Sequence, residues 1–328
     1  MVPRNGNSGI GTGGEKTSAI DMAVPKFQHY VPSFYLARFV DEDGFIWVFD
    51  KTEGRTFRLK PENIAGENHF YDLHELEQHG AVPTLMEQQL ADMEFEAKQI
   101  TDCWLRQCKE RNYIEIPEPN REIMSLFLTL QLLRTAEARI ELLQFAQLLQ
   151  TTGEIDPTYD ARADVKGLHG ALLWDDDLVK SIRKKIQDCI WIFACNDFDQ
   201  PFFTSDHPAL VKSKDHKMWI MGPRVFELGM YVVIPLTPRW IWYCKDRQYW
   251  KKLAEFDRSV SPVRFTPDMV NHENSGQVGM CSRFVFSRSA NFAFAWEYCK
   301  AAPGVIGHDR DRFKELPPLE EDPIKGSS

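Results

Sequence analysis

One stretch decides the fold: PTLMEQQLADMEFEAKQITDCWLRQCKER, at residues 83–111. Its apolar residues recur at steps of three and four along the chain, which places them on one face of an α-helix. These residues are Leu85, Leu90, Met93, Ala97, Ile100, Trp104 and Leu105. The stretch predicts a long helix over Pro83–Arg111, with Glu87 and Glu94 on nearly the same face as part of that stripe.

A second long helix is predicted after a break at 117–120. Asn120 suits the N-cap of a helix that runs to Gln150. Its apolar positions form a core-facing stripe: Ile123, Leu126, Phe127, Leu130, Leu133 and Ile140. Residues 151–174 are rich in Gly and Asp, which predicts a loop, and a shorter helix is predicted over 176–188.

The second half of the chain has the texture of short strands. An early β unit is predicted at Phe45–Phe49 and Thr56–Leu59, and later strands at Ile190–Ala194, Pro201–Thr204, Ala209–Val211, Met230–Leu236, Trp240–Cys244 and Phe284–Phe286. Further helices are predicted at about 268–280 and 289–299. This order predicts an α+β fold, in which a long helical hairpin and further helices pack on one mostly antiparallel sheet. The sequence has neither a βαβ rhythm nor a glycine-rich phosphate loop, which argues against a nucleotide-binding sheet.

The composition is that of a globular protein. The chain has 328 residues, of which 43% are hydrophobic and 12% aromatic, enough for a sizeable core. We expect one α+β domain of a catalytic type over 26–313, with a helical part at about 83–188 and a strand-rich part at about 189–300. Residues 1–25 and 314–328 are predicted to be a disordered leader and a disordered tail.

Charge and cysteine content narrow the class of partner. The net charge of −9 argues against a broad basic face for duplex DNA, although a local basic patch remains compatible with it. The seven cysteines contain no CxxC pair, which suggests free thiols in a reducing compartment. No apolar run approaches the length of a membrane span, and no secretory signal opens the chain. We therefore expect a cytoplasmic protein that does not contact a membrane.

The most informative polar motif is His29-Tyr30-Val31-Pro32. It puts a titratable ring beside a phenol on backbone that the proline stiffens. A histidine can exchange a proton near neutral pH, so His29 and Tyr30 are candidate catalytic residues. The alternative is a buried, neutral histidine whose ring is satisfied by a carbonyl group.

Other polar residues lie in strand-like or helical contexts. Ser205 and Asp206 precede His207-Pro208 at the end of a predicted strand, where a nucleophile and a carboxylate could stand; a simple turn ended by proline is the alternative. Gln131 and Arg134 share one helix face, and a buried guanidinium needs a carboxylate or a bound anion.

Further candidates could recognise a substrate. Glu94 and Glu227, with Glu87, are carboxylates that could meet a cation, unless they belong to a solvated face. Asn271 and Asn274 are three apart on a predicted helix and could bind a polar ligand, or serve only as a cap or a buried bridge. A basic cluster and a second one at the end of the first helix could together hold phosphates: Lys180, Arg183, Lys184 and Lys185, and Arg106, Lys109 and Arg111.

Taken together, these segments resemble the family known as domain of unknown function 4238. The resemblance rests on His29–Pro32, on Phe127–Thr135, on 202–208 with Ile234–Pro238, and on 270–274 ahead of 283–287, in the order of the family and over roughly residues 26–290. The chain departs from the pattern at one point. It has Ser-Asp-His-Pro where Ser-Asp-Asn-Pro is expected.

The resemblance implies an activity. Some fungal members of this family are arginine-containing cyclodipeptide synthases, which join two aminoacyl-tRNAs into a diketopiperazine. Such an enzyme would need no metal and no cofactor, because the tRNA ester is already activated. For this reaction the chain offers Glu94 or Glu227 for the guanidinium, Ser205 as acyl acceptor, and His29 as base oriented by Asp206. The basic patch would hold the tRNA acceptor arm: Lys180, Arg183, Lys184 and Lys185.

Two other functions remain open from the sequence. One is a metal-independent hydrolase or nuclease of a toxin or defence system, in which His29, Asp206 and Arg134 act on a phosphodiester. The other is a non-enzymatic protein whose polar residues build a ligand pocket. We expect His29, Arg134, Asp206 and Asn271, which come from four separate elements, to line one cavity. The sequence does not determine the oligomeric state.

Overall fold

The computed structural model describes residues 27–71, 84–220, 227–307 and 309–312, with backbone alone at 84–87. The predicted leader (1–25) and tail (314–328), Pro83 and the Glu87 side chain therefore lie outside the described residues. Among the helices in these ranges, none is both long enough and apolar enough to cross a bilayer.

The helices agree with the predictions in the main. They are α1 Ser33–Leu36, α2 Thr84–Glu110, α3 Glu118–Leu133, α4 Ala136–Thr152, α5 Val165–Trp174, α6 Asp176–Asp188, α7 Pro267–Met280 and α8 Ala293–Ala301. The long first helix and the helix at 176–188 are confirmed. The loop prediction for 151–174 is wrong at its end, because α5 occupies the last ten of those residues.

The prediction of one continuous helix from Asn120 to Gln150 is wrong. Pro117 holds the N-cap position of α3, and the helix ends at Leu133. Thr135 has an extended backbone and caps α4, since its Oγ1 accepts a hydrogen bond from the N–H of Ala138 at 3.2 Å. The same oxygen lies 2.6 Å from Nδ1 of His207. His207, which is distant in sequence, therefore helps to stabilise the break between α3 and α4.

The strands form three sheets rather than the single sheet that was predicted. They are β1 Phe27–His29, β2 Ile46–Asp50, β3 Arg55–Leu59, β4 Gly66–Asn68, β5 Ile190–Cys195, β6 Thr204–Ser205, β7 Leu210–Lys212, β8 Trp219–Ile220, β9 Tyr231–Pro235, β10 Trp240–Lys245, β11 Ser259–Val260 and β12 Phe284–Ser287. The largest sheet has the order β11-β5-β10-β9-β7-β8, a second has β3-β2-β12-β6, and β1 pairs with β4. Among the strands of the described ranges only the β11–β5 pair is parallel, so the predicted α+β class is confirmed.

One face of the six-stranded sheet carries the main core. Trp191 and Phe193 of β5 and Trp242 of β10 point to the same side, because side chains alternate along a strand. Trp104 of α2 packs among them, with its ring centroid 5.8 Å from that of Trp191 and 5.4 Å from those of Phe193 and Trp242. Burying these rings fixes α2 against the sheet.

The opposite face of the same sheet is less completely filled. It carries Ile192, Tyr243, Tyr231 and Lys245, and α7 lies across part of it. Since both faces are covered by protein, the strands are hydrophobic along most of their length. The space that remains between α7 and the sheet forms the largest cavity described below.

Candidate functional site

The predicted polar residues of α2 and α3 form a buried ion pair. Arg134 is fully buried, and its Nη2 donates to Oε1 of Glu94 at 2.7 Å. Gln131, with its amide oriented so that its oxygen accepts, receives Nε and Nη2 of the same guanidinium at 2.9 Å. Glu94 is therefore already bound to a cation of the protein itself, which leaves less of its charge for an arginine substrate.

His29 lies beside this ion pair. Burial is the main cause that lowers its pKa, and the charges of Glu94 and Arg134 act on it in opposite directions. Its Nε2 is buried and has no hydrogen-bond partner within the part of the chain that the structure describes. The hydroxyl oxygen of Tyr71 lies 3.4 Å from the carbonyl oxygen of His29 and 3.5 Å from that of Arg134. Tyr30 is buried, which raises its pKa well above the usual range.

Ser205 and Asp206 are held by internal hydrogen bonds. Asp206 accepts from the backbone N–H groups of Ser282, Arg283 and Phe284 at 2.7–2.8 Å, which fixes the start of β12. Burial raises the pKa of this carboxyl, while the N–H donors act to lower it. Ser205 is fully buried and its Oγ donates to Oε1 of Gln277 in α7 at 2.7 Å. The turn interpretation of this segment describes these contacts well.

His207 stands where the resemblance predicts an asparagine. Its Nδ1 lies 2.6 Å from Oγ1 of Thr135, and burial lowers its pKa to about 4. A buried ion-pair network lies near it. Glu137 of α4 accepts from Arg312 at 2.6 and 2.8 Å and from Arg310 at 2.6 Å. The charge of Glu137 opposes the effect of burial on His207. The ring is thus neutral near pH 7.

The two asparagines of α7 bind backbone and side chain rather than an open space. Asn274 accepts from the N–H of Phe203 at 2.8 Å and donates to the carbonyl of Pro201 at 3.0 Å. Asn271 accepts from Nε2 of Gln200 at 2.5 Å. Both residues attach segment 200–203 to α7.

The four residues that were expected to converge have different hydrogen-bond partners, and Asp206 acts electrostatically on Tyr30, which is next to His29. His29 lies near Arg134, whereas Asp206 is bonded to the start of β12 and Asn271 to Gln200. Glu227 lies at the turn before β9, where its carbonyl accepts from the N–H of Met230 at 3.2 Å.

The basic cluster on α6 is largely compensated by neighbouring acids. Lys180 pairs with Asp176 at 2.8 Å and Lys184 with Asp188 at 2.9 Å. Lys185 reaches Asp246 at 2.9 Å, and Arg183 is half-buried. This cluster is therefore less positive than the sequence alone indicated.

The largest cavity that we describe lies between the six-stranded sheet and α7, and we call it the lysine cavity. Its volume is about 680 Å³. The lining side chains are mostly aromatic or aliphatic, with a few charged groups among them: Ile192, Ala194, Lys212, His216, Tyr231, Tyr243, Lys245, Leu253, Phe256, Ser261, Pro262, Val263, Phe265, Asp268, Met269, His272 and Glu273. A concave, largely apolar site with a few polar groups is the usual form of a small-molecule site.

Strand register places two lysines in this cavity. Lys212 of β7, Tyr231 of β9 and Lys245 of β10 are directly paired across three neighbouring strands. Residues paired in this way point to the same face of a sheet, so the two lysines flank the tyrosine ring. Lys212 is 2% exposed and Lys245 is 9% exposed.

The two lysines differ in their partners. Lys212 Nζ donates to Oε1 of Glu273 at 2.6 Å. Lys245 Nζ instead lies over aromatic rings, 3.7 Å from the ring centroid of Tyr231 and 4.3 Å from that of Trp250. Burial, followed by the positive charge of Lys212, lowers the pKa of Lys245 to about 7. A substantial fraction of Lys245 is therefore a neutral amine at neutral pH.

Other titratable groups surround these lysines. Burial and then the charge of Glu273 raise the pKa of Tyr243 well above its usual range. His216 Nδ1 lies 2.5 Å from the hydroxyl of Tyr231, and burial lowers the pKa of this histidine to about 4. His272 stacks on Trp219 with ring centroids 5.9 Å apart. Perturbed groups that share a cavity are typical of functional sites.

Most of this cavity was not predicted from the sequence. Asn271 and Asn274 were the predicted ligand-binding residues of α7, whereas the intervening His272 and Glu273 line the cavity. A signal was present, because Lys212 and Lys245 each end a hydrophobic strand. A lysine at the end of a strand is also common at a solvated edge, so the signal is weak without the register.

The chain was compared with curated proteins, with solved structures and with protein families. No curated protein and no solved structure is significantly similar to it. Residues 28–291 match the family described as "Protein of unknown function (DUF4238)". This match covers well over half of the chain, so the chain belongs to the DUF4238 family.

Proposed function

We propose that this chain is a cyclodipeptide synthase of the arginine-containing type, which condenses an arginyl-tRNA with a second aminoacyl-tRNA in the lysine cavity. The observation that carries the proposal is the position of Lys245. Its amine stands among aromatic rings in a cavity of about 680 Å³, with a pKa of about 7. Such a cavity is large enough for the aminoacyl ends of the substrates.

The reaction needs a base whose pKa lies near neutral pH. The α-amine of an aminoacyl ester is largely an ammonium ion at neutral pH and must lose a proton before it can attack. A base with a pKa near the working pH is the most effective one. Neutral Lys245 accepts this proton and releases it to solvent, the amine attacks the ester carbonyl of the other substrate, and a second proton, lost from the nitrogen as the amide forms, passes to the departing 3′ oxygen of the tRNA. A second attack of the same kind closes the ring, so two amide bonds replace two ester bonds.

The cavity also offers groups for the guanidinium of an arginyl substrate. Asp268 is exposed at the start of α7 and lines the cavity together with Tyr243 and Phe265. A guanidinium can stack on an aromatic face while it donates two hydrogen bonds to a carboxylate. We assign this role to Asp268 because Glu94 is bound to Arg134, while Glu273 is bound to Lys212.

A product assay tests the proposal. The purified chain is incubated with a mixture of aminoacyl-tRNAs that includes radiolabelled arginyl-tRNA, and the products are analysed by mass spectrometry. We expect a mass equal to cyclo(Arg-X) with the parent chain. Lys245→Met should reduce its formation at least 100-fold, the lower range for losing a general base. Lys252→Met, which changes an exposed lysine outside the cavity lining, should leave the rate unchanged.

The outcomes separate the activity from its location. If the folded parent chain forms no cyclo(Arg-X), the proposed synthase activity is wrong. If Lys245→Met keeps the parental rate, the chemistry takes place elsewhere. Asp268→Asn should weaken the use of arginyl-tRNA by about 10–100-fold, because a charge-assisted hydrogen bond contributes about 1.5–3 kcal/mol. If Asp268→Asn used arginyl-tRNA as well as the parent does, Asp268 would not be the residue that binds the guanidinium.

A further inference from the structure

A second, polar cleft lies away from the lysine cavity, where α3 begins and α6 ends. Its volume is about 350 Å³. Four basic and three acidic side chains line it, together with two uncharged ones: Arg121, Lys184, Arg247 and Arg258; Glu118, Asp188 and Asp257; Ile116 and Gln187. We call it the arginine cleft. None of the residues that line the lysine cavity takes part in it.

The acidic residues of the arginine cleft are already paired. Asp257 Oδ1 accepts from the N–H of Trp191 at 2.8 Å and lies 3.5 Å from Nη1 of Arg121, while Oδ2 accepts from Arg247. Asp188 accepts from Lys184 at 2.9 Å. Glu118 accepts from Nε2 of Gln187 at 2.6 Å. The ion pairs of Asp257 and Asp188 reduce the negative charge that a bound anion would meet.

Arg258 differs from the other three cations. Its guanidinium forms no hydrogen bond or ion pair within the described ranges, and its Nε is buried. Its one described contact is with the ring of Tyr113, 5.6 Å from Cζ to the centroid. A buried Nε–H without an acceptor is costly, and a ligand oxygen in the cleft would supply one.

The backbone at Arg258 is also unusual. Its φ is +66°, in the left-handed region that residues other than glycine seldom adopt. Two backbone hydrogen bonds hold it there, from its N–H to the carbonyl of Trp191 and from Ile114 to its carbonyl, both 2.7 Å. Strain of this kind persists where the surroundings impose it, and it is concentrated at functional sites. Here it aims an arginine, rather than a glycine, at the cleft.

We propose that the arginine cleft binds a phosphate group, with Arg258 as its main ligand and Arg247 and Lys184 beside it. Guanidinium groups match the paired oxygens of phosphate, which are strong acceptors. The phosphate could be free inorganic phosphate or the phosphate of a nucleotide, and both would be recognised by the same groups. This proposal rests on the cleft alone and does not depend on the proposed function.

The positive φ of Arg258 permits a variant that removes the guanidinium without adding backbone strain. Glycine adopts positive φ without strain, so Arg258→Gly removes the guanidinium and should fold with a melting temperature at least equal to that of the parent. His69 has φ +57° and lies outside the cleft, so His69→Gly is the matched control for the backbone change. Asparagine also tolerates this conformation, and Arg258→Asn serves if the glycine variant fails to fold.

Binding is measured by isothermal titration calorimetry with sodium phosphate and with adenosine 5′-monophosphate, at constant ionic strength set with sodium chloride, because salt screens charges. We expect the parent and His69→Gly to bind, and Arg258→Gly to bind at least tenfold more weakly. Tighter binding of the nucleotide would assign the cleft to nucleotide phosphates, and equal binding to phosphate itself. No binding by the parent up to about 10 mM, or equal binding by all three proteins, would overturn the proposal.

Discussion

Replacing Lys245 by methionine should stabilise the protein, and by an amount that depends on pH. Methionine keeps the length of the side chain and removes the charge, in a place where Nζ lies over the rings of Tyr231 and Trp250. The parent must hold an ammonium group at a site that is 9% exposed whenever the pH is low enough to protonate it. Holding this ammonium group makes folding less favourable, because it is buried and no carboxylate of the described residues pairs with it.

The sign and size of this stabilisation follow from the pKa of Lys245. In the folded protein the pKa of Lys245 is lowered from 10.5 to about 7. Between these two values the unfolded chain binds a proton that the folded chain does not, so folding becomes less favourable as the pH falls. The cost is absent above about pH 10.5 and complete below about pH 7. At about 1.4 kcal/mol for each tenfold change in proton affinity, it reaches roughly 5 kcal/mol.

The assay is urea unfolding of the parent and Lys245→Met in a reducing buffer at pH 7, 8 and 9. The difference between the two proteins isolates this lysine, because the other titrating groups are common to both. We expect the variant to be more stable at pH 7 by several kcal/mol, and this advantage to shrink as the pH rises. An advantage that stays constant with pH, or a variant that is less stable at pH 7, would refute the assignment of a poorly solvated, weakly compensated amine.

Three other perturbations test the surrounding structure. Glu94→Gln should lower the free energy of unfolding by about 2–4 kcal/mol in denaturant titrations, because it removes the carboxylate charge to which the buried Arg134 donates at 2.7 Å; an unchanged midpoint would contradict this. Gly276→Ala should cost about 1–3 kcal/mol and shift tryptophan fluorescence, since the added Cβ would stand 2.4 Å from the Trp219 ring; a parental stability and spectrum would mean that the ring moves freely. His207→Asn should flatten the loss of stability between pH 6.5 and 4, where the unfolded histidine binds a proton that the folded one, with a pKa of about 4, does not. That loss is roughly 3 kcal/mol for the parent, and an equally steep loss in the variant would contradict the prediction.

The long helices could be predicted because their signal is local. The apolar residues that predict α2 and the acidic first turn that predicts α6 lie within the helices themselves. The end of α3 is different. Thr135 leaves the helix and contacts His207, which is 72 residues away in the sequence. A contact of that kind has no local pattern, so the sequence favoured one continuous helix.

The lysine cavity was missed for a related reason. Lys212, Tyr231 and Lys245 become neighbours only through the pairing register of β7, β9 and β10. A shift of one residue in any strand would send its side chain to the opposite face of the sheet. The sequence contains each lysine, but not the register that places both beside the same ring.

The polar residues of the sequence motifs can nevertheless be connected to this cavity through α7. One face of that helix is bound to residues 201–205, which overlap the motif at 202–208: Asn274 holds the backbone of Pro201 and Phe203, and Gln277 holds Ser205. Residues one and two positions away along a helix point in other directions, so fixing this face also fixes where His272 and Glu273 point. Both line the lysine cavity, and Glu273 meets Lys212 there. A residue such as Asn274 can therefore be required by the site without contacting a ligand.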